Sequence, residues 1–348
     1  MTPRHPGGSP TPLLSDLDED EILARILPLL PSTRDTDVLV GPGDDAAVVM
    51  APRPLVVTTD SMVRTRDWRD DWSSPQDVAR KLGAQNISDI AAMGGTATGA
   101  LMTVAADPST PLAWVESFAA GLGEWCREAA VAVVGGDLSS APAGVLQVSL
   151  TMWGDLHGRA PVLRSGARPG DVLAVCGSLG WSDAGLASYA AGEPDPPAGP
   201  GSTPAERHRG TWRWFHRSPR PPWEAGPLAA DAGATSMIDL SDGLVRDAGR
   251  VAAASGVRLD LDRAALGRDV AVFEEAVEAG TMTTGQAWGH VLGGGEEHSL
   301  LATFPRDAGP PQSHEWPWRI IGDVRPGAGV TLDGERLEVV GWDHFRAP

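Results

Sequence analysis

The chain has 348 residues, enough for two domains of ordinary size with substantial hydrophobic cores. Its formal net charge of −18 argues against binding to nucleic acid or anionic membranes, because a strongly acidic surface repels their phosphates. The two cysteines, Cys126 and Cys176, lie in apolar stretches and are too few for a disulfide framework. We therefore expect a cytoplasmic protein with reduced thiols, no membrane span and no signal peptide.

The N-terminal segment begins with residues 1–15, whose Pro, Gly, Ser and Thr content is typical of a disordered leader. Apolar residues at helical spacing then predict a helix over residues 18–30. The motif Gly-Pro-Gly-Asp-Asp follows at residues 41–45, and its glycines predict a turn that projects carboxylates, among them that of Asp45, at a sheet edge. For this motif alone, an exposed acidic turn without a function is the alternative.

The next strand is apolar at Leu55–Val57 and then ends in four oxygen-bearing side chains, those of Thr58, Thr59, Asp60 and Ser61. Such side chains cannot all be buried without partners. Oxygen ligands are the ones that Mg²⁺ prefers, so the end of this strand is a candidate metal site. A simple Thr- and Ser-rich turn is the alternative.

Ser74-Pro75 predicts the start of a helix that ends before Gly94-Gly95. One face of this helix is apolar at both ends and polar in the middle, with the order Val78, Leu82, Asn86, Asp89 and Met93. A carboxylate on an inward face needs a partner, and we interpret Asp89 as a metal ligand. A hydrogen bond within the core is the alternative.

Two further strands end in aspartates. The strand at residues 131–134 leads to Gly135-Gly136-Asp137, where the glycines allow a ligand close to the backbone. The strand at residues 236–240 leads to a cluster of Asp239, Ser241 and Asp242 directly before a helix that ends at Gly256. Because a helix N-terminus favours phosphate, this cluster is a second candidate site for metal and phosphate.

The domain organisation follows from a turn-rich joint at residues 164–171. We predict an N-terminal ATP- and metal-binding dimerisation domain over residues 16–160 and a C-terminal α+β domain over residues 161–348. Residues 193–223 are rich in proline and predict a loop or insertion that is partly ordered by its aromatic residues, Trp212, Trp214 and Trp223. The sequence has one lysine, Lys81, which excludes a Walker-type phosphate loop, so metal ions would have to neutralise bound phosphates.

Eight motifs in order resemble the thiamine-monophosphate kinase family, which belongs to the superfamily of aminoimidazole ribonucleotide synthetase and selenophosphate synthetase. They extend over residues 18–345 and are Gly-Pro-Gly-Asp-Asp (41–45), Thr-Thr-Asp (58–60), Asn-Ile-Ser-Asp-Ile-Ala-Ala-Met-Gly (86–94), Gly-Gly-Asp (135–137), Arg-Ser-Gly-Ala-Arg-Pro-Gly-Asp (164–171), Ile-Asp-Leu-Ser-Asp-Gly (238–243), Gly-Gly-Glu (294–296) and Trp-Asp-His-Phe (342–345). The resemblance implies an α/β domain whose sheet forms a barrel in a homodimer, followed by an α+β domain. It also implies that ATP and several Mg²⁺ ions are used to phosphorylate thiamine monophosphate to thiamine diphosphate by direct in-line transfer.

The same resemblance assigns roles to individual residues, and it assigns no acid–base catalyst, because metal-assisted positioning carries such a transfer. The implied metal ligands are Asp45, Thr58, Thr59, Asp60, Asp89, Asp137, Asp239 and Asp242. The implied ATP contacts are Gly136, Asp137, Arg164 and Ser241. The implied substrate contacts are Asp67, Glu296 and Trp342.

Two positions depart from the family pattern. The family commonly has His where this chain has Asp67, and Gly-Gly-Glu-Asp where this chain has Gly-Gly-Glu-Glu-His at residues 294–298. A synthetase of the same superfamily with another acceptor, or a catalytically silent nucleotide-binding relative, are the alternatives to the kinase.

Overall fold

The computed structural model describes most of the chain from residue 54 onward. The described residues are Leu13, 16–17, 25–29, 38–40, 48–49, 54–193, 203–338 and Gly341. Apart from Leu13, the predicted leader lies outside them, and so do Asp45 and Trp342. Of the helix predicted over residues 18–30, the described residues 25–29 are helical. No helix among the described residues is both long and apolar enough to cross a membrane.

The described chain divides into two compact units, each made of several segments. The first unit comprises the described residues up to 51 together with 59–83 and 99–151. The second unit comprises residues 52–58, 84–98 and those from 152 onward. The predicted domain ranges 16–160 and 161–348 stay a prediction, because this division is discontinuous along the chain.

In the N-terminal part of the chain, the described residues form two sheets and two α-helices after the helical residues 25–29. The short strands β1 (Val38–Val40) and β2 (Val48–Val49) pair antiparallel. A four-stranded sheet has the order β3-β6-β4-β5, with β3 at Leu55–Val63, β4 at Thr96–Ala106, β5 at Ala132–Ser140 and β6 at Leu146–Asp155. The helices are α1 (Pro75–Ala92) and α2 (Leu112–Glu128), and α2 connects the parallel strands β4 and β5.

The helix α1 confirms the one predicted from Ser74-Pro75. The Ser74 hydroxyl accepts from the Asp77 N–H at 3.2 Å, and an Asp77 carboxylate oxygen accepts from the Ser74 N–H at 3.0 Å. This reciprocal pair satisfies two N–H groups at the helix start. The predicted inward face is also observed, since Leu82 and Asn86 are both fully buried.

A seven-stranded sheet forms the centre of the second unit, in the order β13-β12-β9-β11-β7-β10-β8. Its strands are β7 (Val172–Cys176), β8 (Ser236–Leu240), β9 (Arg258–Leu261), β10 (Ser299–Phe304), β11 (Trp318–Arg325), β12 (Gly329–Leu332) and β13 (Glu335–Arg336). The helices of this unit are α3 (Trp181–Ala190), α4 (Pro204–Arg217), α5 (Ala225–Asp231), α6 (Leu244–Ser255), α7 (Arg263–Val270), α8 (Glu274–Glu278) and α9 (Thr284–Gly293).

Strands β7, β8 and β10 are buried at every residue, so both faces of the sheet are covered. One face, with Leu173 and Ile238, packs in a cluster that includes α6 and α9. The other face, with Ala174 and Met237, packs against α5 and against Ala91 at the end of α1. Strand β8, which is the third Asp-tipped strand predicted from the sequence, therefore ends at the surface of a rigid core.

The prediction of a proline-rich loop over residues 193–223 is wrong in part, because residues 204–217 form helix α4. Thr203 caps this helix through a reciprocal pair with Glu206. Trp212 is only 4% exposed and lies in the core cluster on one face of the seven-stranded sheet. The guanidinium of Arg213 donates to the main-chain oxygens of Ser188 at 3.0 Å and Glu193 at 2.7 Å. The burial of Trp212 and the hydrogen bonds of Arg213 stabilise the helix although prolines flank it.

Candidate active site

A cavity of about 250 Å³ lies in the second unit, at the end of strand β8. Three of its lining residues are the predicted ligands Thr58, Asp89 and Asp239, and a fourth is Arg164. The remaining lining residues are apolar and are Val56, Val57, Ala92, Met93, Met237 and Ile238. The sequence motifs at residues 58–60, 86–94, 164–171 and 238–243 therefore each contribute at least one residue to one cavity.

Asp89 is held by the strand that precedes its helix. The hydroxyl of Thr58 donates to Asp89 Oδ2 at 2.5 Å. The hydroxyl donor keeps the carboxylate in one orientation. The pair Thr58–Asp89 thus presents two oxygen donors toward the same cavity.

Asp239 is held from two sides. Ser88 Oγ donates to Asp239 Oδ2 at 3.1 Å, and His298 Nδ1 lies 3.1 Å from the same oxygen and 3.3 Å from Ser88 Oγ. Asp239 and His298 are both buried, at 4% exposure each. Sequence reasoning missed Ser88 and His298, although Ser88 is adjacent to Asp89 and His298 follows the Gly-Gly-Gly-Glu-Glu motif.

Asp242 forms an ion pair with Arg250. Arg250 Nη2 donates to Asp242 Oδ2, and Arg250 Nη1 donates to Asp247 Oδ1. Asp247, which sequence reasoning also missed, accepts from the N–H groups of Asp242 at 3.0 Å and Gly243 at 3.1 Å. Burial raises the pKa of the Asp247 carboxyl to about 7, and repulsion from Asp239 adds to this rise. A Gly-initiated helix with an acid in its first turn was the available signal.

The glycine-rich loop at residues 293–298 turns three consecutive side chains toward three different elements. Glu296 Oε2 lies 3.3 Å from His216 Nδ1 on α4. Glu297 accepts from Ser178 Oγ and from the Ser182 N–H, both at 2.7 Å, at the start of α3. Burial raises the pKa of the Glu297 carboxyl to about 7. Together with the contact of His298, these bonds fix the loop beside the cavity.

The loop packs directly against the turn that follows β8. The N–H of Glu296 donates to the Ser241 carbonyl at 2.8 Å. A Cβ atom at Gly295 would lie 2.4 Å from that carbonyl oxygen, so no larger residue fits there. The predicted ATP contact Ser241 and the predicted substrate contact Glu296 are therefore neighbours.

The remaining predicted ligands belong to the first unit. Thr59 Oγ1 donates to the Leu150 carbonyl at 3.2 Å, and Asp60 is half-buried in the same strand. Asp137 is exposed and accepts from Ser139 Oγ at 2.6 Å. A Cβ atom at Gly136 would lie 1.7 Å from the Met102 carbonyl oxygen, so the close pairing of β4 and β5 requires this glycine.

Asp67 performs a structural task in the first unit. Its Oδ2 accepts from the Val63 N–H at 2.7 Å and closes the turn after β3. Arg64 donates to the Gly144 carbonyl at 2.9 Å, whereas Arg66 is exposed. The carboxylate that replaces the family's common histidine thus bonds to its own turn.

The cavity residues fit a magnesium ion by the chemistry of their donors. Within the described part of the chain, no three His, Cys, Asp or Glu side chains form a metal site by themselves. Mg²⁺, however, is usually held by one or two carboxylates together with phosphate oxygens and water. Asp89, Asp239 and the Thr58 hydroxyl supply such an oxygen-only set on one cavity wall.

Comparison with known proteins defines first the class and then the family. Residues 43–156 match the model "AIR synthase related protein, N-terminal domain". The thiamine-monophosphate kinase of Stenotrophomonas maltophilia K279a has a TM-score of 0.75 and 27% identity, with 91% of this chain and 96% of that chain covered. The structure named "AaThiL complexed with AMPPCP and TMP" has a TM-score of 0.71 and 28% identity, with 84% and 87% covered. The chain thus has the mixed α/β fold of these proteins.

A relative with a higher sequence identity than these two structures is the thiamine-monophosphate kinase of Mycobacterium tuberculosis (strain ATCC 25618 / H37Rv). It is 42% identical over 353 aligned residues, which cover 100% of this chain and 97% of the relative. The chain therefore belongs to the thiamine-monophosphate kinase family.

Proposed function

We propose that the protein transfers the γ-phosphoryl group of ATP to thiamine monophosphate and releases thiamine diphosphate and ADP. The observation that carries this proposal is the cavity in which Thr58, Asp89 and Asp239 lie together with Arg164. The solved relative AaThiL, whose complex contains AMPPCP and TMP, supports an ATP-like donor and thiamine monophosphate as the acceptor. Kinase relatives that cover the full chain support the same reaction.

The reaction brings two anions together, so charge neutralisation and alignment matter more than proton transfer. The phosphate of thiamine monophosphate is largely ionised at neutral pH, because its second pKa is about 6. A bound Mg²⁺ would supply positive charge that neutralises the phosphate oxygens. Asp89, Asp239 and Thr58 would hold such an ion, and the guanidinium of Arg164 would bind a phosphate oxygen of ATP.

The other assignments from the family resemblance stay proposals. They comprise the metal ligands Asp45, Thr59, Asp60, Asp137 and Asp242, the ATP contacts Gly136, Asp137 and Ser241, and the substrate contacts Asp67, Glu296 and Trp342. A metal at Asp242 would compete with Arg250 for the same carboxylate oxygen. Because Asp67 bonds to the Val63 N–H, we infer that Arg66 rather than Asp67 meets the acceptor phosphate.

We also infer a homodimer, formed through the exposed face of the four-stranded sheet. On β3, Val57 is 62% exposed and Leu55 is 39% exposed. Leu101 on β4, in the same sheet, is 37% exposed. Exposed large apolar side chains on a sheet are typical of a surface that a partner covers. A measured molar mass of one chain would contradict this inference.

A cytoplasmic location agrees with the chemistry of the thiols. Cys126 and Cys176 are both free and buried, and burial raises the pKa of each thiol to about 12. Unpaired, protonated thiols suit a reducing compartment. We therefore infer that the protein acts in the cytoplasm.

The test of the proposed function is direct. Purified protein is incubated with ATP, Mg²⁺ and thiamine monophosphate, and the products are separated by anion-exchange chromatography. We expect thiamine diphosphate and ADP in equal amounts, and no thiamine diphosphate when thiamine monophosphate is replaced by thiamine. ATP hydrolysis without thiamine diphosphate would favour the synthetase alternative, and no ATP turnover would favour the silent relative.

A further inference from the structure

Helix α4 brings a histidine against the glutamate of the glycine-rich loop. His216 Nδ1 lies 3.3 Å from Glu296 Oε2 and 3.1 Å from Ser182 Oγ. The His216 side chain is 8% exposed, whereas the Glu296 side chain is 32% exposed. The contact is therefore buried on the side of the histidine and accessible to a ligand on the side of the glutamate.

The protonation that the ion-pair contact between His216 and Glu296 requires follows from the chemistry of the groups. An ionised carboxylate only accepts hydrogen bonds, so an attractive contact with Glu296 requires a proton on His216 Nδ1. The Ser182 hydroxyl lies beside the same nitrogen, and the Ser182 N–H donates to Glu297 at 2.7 Å. Ser182 thus holds both the histidine and the residue adjacent to Glu296.

The backbone of Glu296 is constrained as well. Its φ angle is +62°, a left-handed conformation that residues other than glycine seldom adopt. The hydrogen bond from the Glu296 N–H to the Ser241 carbonyl maintains this conformation. Strained backbone that the surroundings hold in place is frequent at binding sites. The Glu296 carboxylate is consequently fixed from the backbone and from its oxygen end.

We propose that His216 is a positioning residue that orients the Glu296 carboxylate toward the thiamine moiety, which makes helix α4 part of the acceptor-binding apparatus. The proposal rests on the proposed function, in which Glu296 contacts the acceptor. The thiazolium ring of the acceptor is cationic, so a carboxylate fixed in advance binds it without losing further side-chain entropy. Without His216 the carboxylate gains freedom, and acceptor binding weakens. His216 lies beside Glu296 and Ser182, whereas Asp89 and Arg164 form the proposed ATP side. We therefore expect the affinity for ATP to be unchanged.

Two substitutions of His216 distinguish the effect of its polar contact with Glu296 from the effect of the volume of its ring. His216→Leu removes the donor and fills most of the volume. His216→Asn keeps a donor, because the amide nitrogen of asparagine takes the place of Nδ1. Ser182→Ala removes the hydroxyl beside Nδ1 and gives a second route to the same question.

The same helix offers a matched control. His208 Nε2 lies 3.3 Å from Glu275 Oε2, in an exposed pair with 41% and 46% side-chain exposure. His208→Leu therefore breaks a His–Glu pair at the same distance on α4 without touching Glu296. An effect of the helix itself, or of an imidazole lost from it, would appear in this variant as well.

The readouts are the KM values for thiamine monophosphate and ATP, kcat, and the Kd of thiamine monophosphate measured by calorimetry without ATP. We expect His216→Leu to raise the acceptor KM and Kd about tenfold and to leave the ATP KM unchanged. His216→Asn should recover most of the acceptor affinity, Ser182→Ala should change it in the same direction by a smaller factor, and His208→Leu should match the wild type.

The outcomes distinguish this inference from the proposed function. Equal changes in the acceptor and ATP KM values of His216→Leu, or equal acceptor KM values in His216→Leu and His208→Leu, would overturn the positioning role. If His216→Leu does not fold, Ser182→Ala decides the question: an acceptor KM and Kd equal to those of the wild type in that variant would overturn the positioning role. Wild-type protein that makes no thiamine diphosphate would instead refute the proposed function, and this inference with it.

Discussion

Replacement of Glu297 by glutamine is expected to stabilise the protein at alkaline pH and to change its stability little at acidic pH. Glu297 is 1% exposed, and burial raises the pKa of its carboxyl from 4.5 to about 7. The neighbouring Asp183 carboxylate raises this pKa further, whereas hydrogen bonds from Ser178 and Ser182 lower it. The pKa of the Glu297 carboxyl is higher in the folded state than in the unfolded state. The contribution of the protonated carboxyl to the stability of the fold is therefore fully present below about pH 4.5, and it is lost as the pH rises through about 7.

The magnitude follows from the size of the pKa change. A rise from 4.5 to about 7 corresponds to roughly 3 kcal/mol in the free energy of unfolding. Glutamine keeps an acceptor for the Ser182 N–H, and the Ser178 hydroxyl can turn to accept from the new amide. Glu297→Gln should therefore be roughly 3 kcal/mol more stable than the wild type at pH 8 and within about 1 kcal/mol of it at pH 5. Asp247 is present in both proteins, so its own titration cancels in the difference.

The assay is urea unfolding of both proteins at pH 5 and pH 8, with melting temperatures as a second measure. Glu206→Gln is a control of opposite sign, because hydrogen bonds from Thr203 lower the pKa of the Glu206 carboxyl. That substitution should destabilise at pH 8 and have less effect as the pH falls. A Glu297→Gln variant that is less stable than the wild type at pH 8 would refute the reasoning, since it would show that the ionised carboxylate is fully compensated.

Three further predictions concern the reaction, and a fourth concerns stability. Excess chelator should abolish thiamine diphosphate formation and Mg²⁺ should restore it; turnover in metal-free buffer would contradict the role given to Asp89 and Asp239. Asp89→Asn should keep the melting temperature while kcat falls by at least about 100-fold, and normal kcat with early melting would indicate a core hydrogen bond only. Arg66→Ala should raise the KM for thiamine monophosphate about tenfold and leave that for ATP unchanged. Asp67→Ala should instead cost about 1–3 kcal/mol of stability, measured by urea unfolding, through the lost acceptor of the Val63 N–H.

Local patterns in the sequence were sufficient for the elements that surround the cavity. The helix starting at Ser74-Pro75 and the helix ending at Gly256 are both confirmed, because capping residues and apolar spacing are local signals. Asp89 and Asp239, which the family resemblance implies as metal ligands, both line one cavity. Family membership is confirmed by a relative whose alignment covers the whole chain.

Contacts between residues distant in the chain were beyond sequence reasoning. Nothing local indicates that Ser88 and His298 hold Asp239, since 210 positions separate these two partners. The proline content around α4 predicted a loop, but burial of Trp212 and the bonds of Arg213 stabilise a helix. Secondary structure there is decided by tertiary packing, which overrides local composition.

The two departures from the family pattern have one physical explanation. Each is a carboxylate that accepts a hydrogen bond from a backbone N–H, Asp67 from that of Val63 and Glu297 from that of Ser182. A side chain that satisfies a backbone donor stabilises a turn or a helix start, and it does not require a substrate to explain its charge. The departures therefore bear on how the first turn after β3 and the glycine-rich loop are held. In the proposed acceptor site, the carboxylate assigned to the acceptor is that of Glu296, whose side chain is 32% exposed, and the orientation we propose for it depends on His216.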